Sequence, residues 1–246
     1  MRSTTTALIL LLIISMSGLA ASQWDSRLHS TKTGVLIAWL DWEHMPEDMK
    51  QDEEVSGAIC RELKARREVP VLVTAYTSST NPAVRCHLVS EVLYWIDDKR
   101  VERAFSEHVS EQEDEETYYM LLYLARRGST NALDILNRHY FHYLVSSWQW
   151  SAAVTLFGKH KYKPAITNLV ESLDAASLNV SAAACVSLGQ IFPDAPKKFR
   201  DPDEAKRFYE ERIKRSPNPT VQRTGANPSA TETQRTSSPA GPARGH

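Results

Sequence analysis

The chain has 246 residues, with 29 basic against 30 acidic side chains and a formal net charge of −1. That length supports one or two ordinary domains with a real core, and the composition is of a soluble type that excludes a multispan membrane protein. The near-neutral balance argues against nucleic-acid binding, which needs clustered Lys and Arg to displace counterions. With Arg2, Arg223, Arg235, Arg244 and Glu232 of the two ends set aside, the body is mildly acidic at net −4. This favours solubility and selects no ligand.

At the N-terminus Arg2 precedes an apolar run over 7–14, followed by the small residues Ser17, Gly18, Ala20, Ala21 and Ser22. A positive start, a short apolar run and a small-residue cleavage region read as a secretory signal peptide over residues 1–21, and hence as a periplasmic or secreted protein. The run is well short of the ~20 residues that cross a bilayer, so no membrane span is expected after cleavage. Residues 22–51 contain the apolar stretch 35–42 and are expected to form an N-terminal capping segment.

Between residues 52 and 215 there is no strand-like alternation. Apolar residues recur at three- and four-residue steps over 57–65, 69–76, 88–96, 118–126, 132–140, 152–157, 166–173 and 182–191, with polar loops such as 78–82 between them. Such spacing predicts short helices, and a run of short helices is tested for repetition. Ala152-Ala153-Val154-Thr155-Leu156-Phe157-Gly158 returns 31 residues later as Ala183-Ala184-Cys185-Val186-Ser187-Leu188-Gly189. First-helix anchors fall at Cys60, Leu93, Leu124, Phe157 and Leu188, and second-helix anchors at Leu72, Phe105, Leu136 and Leu169. Both sets step by 33, 31 and 33. A helix-turn-helix unit of this size cannot bury its own apolar stripe, so neighbours must stack.

The pattern of small residues before Leu-Gly, a polar turn, then Ala-Val/Ile-x-x-Leu resembles the short bacterial HEAT-like repeats, the type also found in phycobilin lyases. The resemblance covers roughly residues 52–192, with Cys60 in place of the usual Leu in the first unit. It implies an all-α fold, an α-solenoid (right-handed superhelix) of about five helix-turn-helix HEAT-like repeats over 52–200, with second helices lining a concave face. Residues 201–215 open with acids and end with Arg212, Lys214 and Arg215, which suits the helix dipole. They read as a closing helix, polar all round. Residues 216–246 are Pro-, Ser- and Thr-rich with almost no large apolar residue, the composition of a disordered tail.

His108 and His139 sit at the same second-helix position, 31 apart, with His142 one turn later. Equivalent positions on stacked helices are about 10 Å apart, and a metal site needs three or four ligands with supporting acids. Half-buried structural histidines are therefore the expectation, with no cofactor. Glu107, Arg138 and Glu171 are likewise equivalent, and their alternating signs predict cross-repeat ion pairs worth ~0.3–1 kcal/mol each when exposed. The aromatic patch 139–143, continued by Trp148 and Trp150, is half expected core and half candidate hot spot. The acidic run 111–116 lacks the ligand alternation of a calcium loop. Cys60, Cys86 and Cys185 are out of register for bridging and are expected to be free thiols. The leading function is a protein-binding scaffold using Glu107, His108, Arg138, His139, His142 and Trp148. The rivals are a metal- or ligand-binding enzyme of the HEAT-like lyase or hydroxylase type, and an accessory subunit that completes a larger complex.

Overall fold

Apolar side chains at three- and four-residue steps favour helix. Every regular element is helical among the residues described by the computed structural model, which are 24–111, 114–140, 147–196 and 199–215. The leader over 1–21, the tail over 216–246 and His142 lie outside them. Two short helices come first, α1 (Asp25–Ser30) and α2 (Thr33–Ala38), and with the turn after them they bury Leu28, Leu36, Leu40, Met45 and Met49. Both pack on α3 (Val55–Arg66), and α2 also meets α4 (Val69–Ser78). The N-terminal segment thus packs on the first hairpin.

The next hairpin is α5 (Pro82–His87) and α6 (Lys99–His108). Asn81 accepts hydrogen bonds from the Ala83 and Val84 amides, and Pro82 occupies the first turn, where a missing N–H costs nothing. The helix therefore starts six residues before 88, where periodicity alone places it. It continues as a π turn over Leu88–Val92 and a 3-10 turn over Leu93–Trp95. Then come α7 (Glu115–Arg126) and α8 (Thr130–Ile135), the latter extended by a second π turn over Leu136–Tyr140. The remaining elements are α9 (Ser147–Lys159), α10 (Ile166–Glu171), α11 (Leu178–Ile191) and α12 (Pro202–Arg215). Asp98, Asp114 and Ser129 cap α6, α7 and α8.

All nine anchors are buried, none more than 4% exposed. The first helices pack in order: α3 against the π turn 88–92, that turn against α7, α7 against α9, and α9 against α11. Among second helices, α4 packs on α6 and α10 on α12. Side-chain hydrogen bonds between helices share the sequence step. Arg85 donates to Glu116 (31 residues apart), Arg126 to the Tyr94 carbonyl (32), Asn168 to Asn137 (31) and Ser187 to the Val154 carbonyl (33). Helix α7 differs from the rest, because residues 117–125 are all buried. A helix apolar all round belongs inside, and α7 is in contact with α5 and its two turns, α6, α8 and α9.

The closing helix departs from its expected all-round polarity. Ala205 and Tyr209 are buried, Phe208 and Ile213 are partly buried, and Tyr209 meets the rings of Phe192 and Phe199 at 5.7 and 5.6 Å. These residues fall at three- and four-residue steps, so one apolar stripe hides within a charged average. All three cysteines are free. Burial, with Glu91 adding to it, pushes the Cys60 thiol up to about 12, and burial beside Glu115 pushes Cys86 up to about 11.

Candidate functional site

The sequence-predicted residues do not form one site. Glu107 is exposed and lies 3.6 Å from Arg103 on its own helix. Arg138 donates to Glu111 at 3.2 Å, and Nε2 of His139 lies 3.4 Å from the same carboxylate. The predicted ladder of Glu107, Arg138 and Glu171 is therefore not formed. Arg138 and His139 lie on the π turn over Leu136–Tyr140, which winds wider than an α-helix. Trp148 stands apart from all of these, at the start of α9 in the row of first helices.

His108 is exposed, and its Nδ1 bonds the Ala104 carbonyl at 2.8 Å. That bond makes Nδ1 the donor in the neutral ring and leaves Nε2 as an acceptor. Its ring centroid lies 5.6 Å from that of Tyr76. Together with Thr80, Arg85, Asp114, Glu116 and Met120, His108 lines a polar cleft of about 330 Å³. Arg85 is held by Glu116 at 2.5 Å and lies over the Tyr76 ring at 5.4 Å. The Tyr76 hydroxyl donates to the Met120 sulfur at 3.1 Å, and burial, with Glu116 next, keeps it protonated well above the usual phenol range. Among the described residues no group of three or more His, Cys, Asp and Glu side chains is placed to hold a metal ion.

A second surface lies across the first helices. The π turn and 3-10 turn after α5 redirect the chain so that Leu93 and Tyr94 point inward while Trp95 is 53% exposed. From Trp95 a chain of rings runs to Tyr94 (5.1 Å), Tyr119 on α7 (5.5 Å) and Trp148 on α9 (6.0 Å). Trp148 is 48% exposed. Cations flank the chain: Lys64 lies over Trp95 at 5.5 Å and Arg126 over Tyr94 at 4.9 Å, within cation–π range. Trp148, Ser151, Ala152, Thr155 and Leu156 share one face of α9 at helical spacing. With Tyr94 and Arg126 they line a groove of about 360 Å³.

Sequence reasoning singles out Trp148 but misses Tyr94, Trp95, Tyr119 and Arg126. The signal that could have found the groove is the 148, 151, 152, 155 spacing, which gives α9 a second stripe away from its anchor Phe157. No protein-family model, curated protein or solved structure matches the chain.

Proposed function

We propose that the chain is an exported protein-binding scaffold, a right-handed α-solenoid of about five HEAT-like repeats whose interaction surface is the aromatic ridge from Trp95 to Trp148. Two observations support the architecture: the buried anchors, and hydrogen bonds that cross between helices at the 31- to 33-residue step. Export is supported by the Arg2 start, the apolar run over 7–14 and the small residues up to Ser22.

The ridge carries the binding reading. Two tryptophans, each about half exposed, sit on a continuous chain of rings with cations beside it. Trp, Tyr and Arg are the residue types that dominate interface energetics, and an exposed aromatic surface is costly to keep wet without a partner. The ridge runs across α5, α7 and α9, so the surface moves from the second helices to the first. The rival reading, a ligand-binding enzyme, keeps the cleft at His108, where Nε2 is an acceptor and Asp114 and Glu116 share the lining.

The test expresses the chain with its N-terminal residues intact, recovers it from outside the cytoplasm, and uses it as bait in the fraction where it is found. Wild type is expected to retain a specific protein that a Trp95→Ser, Trp148→Ser double variant of unchanged helicity releases. Equal retention by both forms overturns the ridge as the binding surface.

A further inference from the structure

We propose that the groove of Tyr94, Arg126, Trp148 and Leu156 takes an apolar segment of a partner protein that carries a carboxylate, with the acid seated on Arg126. This rests on the scaffold reading and specifies its partner.

The argument is one of charge. Among the described residues, Arg126 is the only charged one lining the groove. It is half-buried, its Nη2 donates to the Tyr94 carbonyl at 2.9 Å, and its guanidinium lies over Tyr94 and Tyr123 at 4.9 and 5.6 Å. Among the described residues no carboxylate lies within ion-pair distance of it. The other partly buried arginines among the described residues are compensated: Arg27 by Asp48, Arg66 by Glu62, Arg85 by Glu116, Arg127 by Asp97 and Glu102, and Arg212 by Asp194. A half-buried cation without a counter-charge is costly, and a guanidinium held flat on aromatic rings is preorganised for a carboxylate. The remaining lining is apolar or hydroxyl-bearing, so the rest of the ligand is apolar.

The same charge disfavours the other occupants. A second copy meeting this groove across a twofold would bring Arg126 towards its own equivalent. The chain's residues 216–246 carry Arg223, Arg235 and Arg244 against Glu232 alone, which is the wrong sign. One arginine is also far short of the basic cluster that an anionic lipid surface requires.

The test pans a displayed library of random peptides on the immobilised protein and measures the enriched sequences by fluorescence polarisation. Enriched peptides are expected to combine aromatic or aliphatic residues with an Asp or Glu. Changing that acid to its amide should weaken binding about tenfold on wild type. On Arg126→Met the acid peptide should fall to the level of the amide peptide, whose own affinity stays put and so reports an intact groove. Trp148→Ser should abolish both. If the enriched peptides carry no acid, or the acid–amide difference survives in Arg126→Met, the carboxylate inference is overturned. The scaffold reading then stands, provided that Trp148→Ser still abolishes binding. If no enriched peptide responds to Trp148→Ser, both fall together.

Discussion

Gly128 and Lys161 lie 33 residues apart, and each ends a first helix in the left-handed region, at φ 89° and 50°. Around them the same two bonds recur. The Gly128 and Ser129 amides donate to the Ala125 and Leu124 carbonyls, and the Lys161 and Tyr162 amides donate to those of Gly158 and Phe157. The turn requires this conformation, and lysine adopts it at a cost of roughly 1–2 kcal/mol that glycine avoids. Glycine's freer unfolded state gives back about 0.4–1 kcal/mol. Lys161 is exposed, so Lys161→Gly should stabilise the protein by about 0.5–1 kcal/mol, read as a higher urea midpoint at unchanged slope. A lower midpoint would mean that the lysine side chain itself stabilises the turn. At this scale the candidate site is only partly legible. Trp148 stands out in the sequence because a large aromatic opens an amphipathic helix. Tyr94 and Tyr119 do not, because each continues an apolar run that reads as core and both are indeed under 10% exposed. Their surface role depends on ring contacts with residues 25 and 29 positions away.

Between elements, α9 and α11 approach closely at Gly158. A Cβ built on Gly158 would lie 2.5 Å from the Ser187 Cα, Cβ and Oγ, and the Ser187 hydroxyl donates to the Val154 carbonyl at 2.9 Å. Backbone cannot move aside as a flexible side chain can, so Gly158→Ala forces the helices apart. The expected cost is about 1–3 kcal/mol. Adding Ser187→Gly should recover part of it, and a double-mutant cycle by chemical denaturation measures the coupling. Additive losses would show that the two residues do not meet. Gly158 is legible in the sequence as the last residue of the repeated Leu/Phe-Gly motif, and the anchors at Phe157 and Leu188 are legible for the same reason. The π turns at 88–92 and 136–140 are not. They are set by which carbonyl each amide reaches, and no residue type marks that choice. The main errors at the site lie on or beside those two turns, since Trp95 follows one and Arg138, of the Glu107, Arg138 and Glu171 ladder, sits on the other.

For the molecule as a whole, the described chain depends on how its N-terminal segment is tied to the helices that follow it. Arg66, at the end of α3, donates to the Leu28 and His29 carbonyls at 2.7 and 3.1 Å, to the Thr31 carbonyl at 2.6 Å and to the Thr33 hydroxyl at 3.1 Å. Glu62 holds its Nε at 2.8 Å. One guanidinium thus bonds the last carbonyls of α1 and the entry to α2, where a helix end leaves acceptors unsatisfied, while the Leu28 carbonyl also accepts from the Thr31 amide. The other polar ties from the segment to the chain after it are fewer, chiefly the Trp24 indole to Asp52 at 2.7 Å and His29 Nδ1 3.4 Å from Glu62. Replacing Arg66 by Met keeps an apolar stem of similar reach but strands those carbonyls, and hydrogen bonds to a charged donor are worth about 1.5–3 kcal/mol. The loss should appear first as local opening, since α1 and α2 pack chiefly on the first hairpin while α7 meets α5, α6, α8 and α9. In hydrogen exchange, Arg66→Met is therefore expected to lose protection across residues 24–51, with the amides of 115–126 nearly unchanged. Equal loss in both regions would mean that the segment and the helices after it unfold as one unit, and that Arg66 holds more than the N-terminal segment.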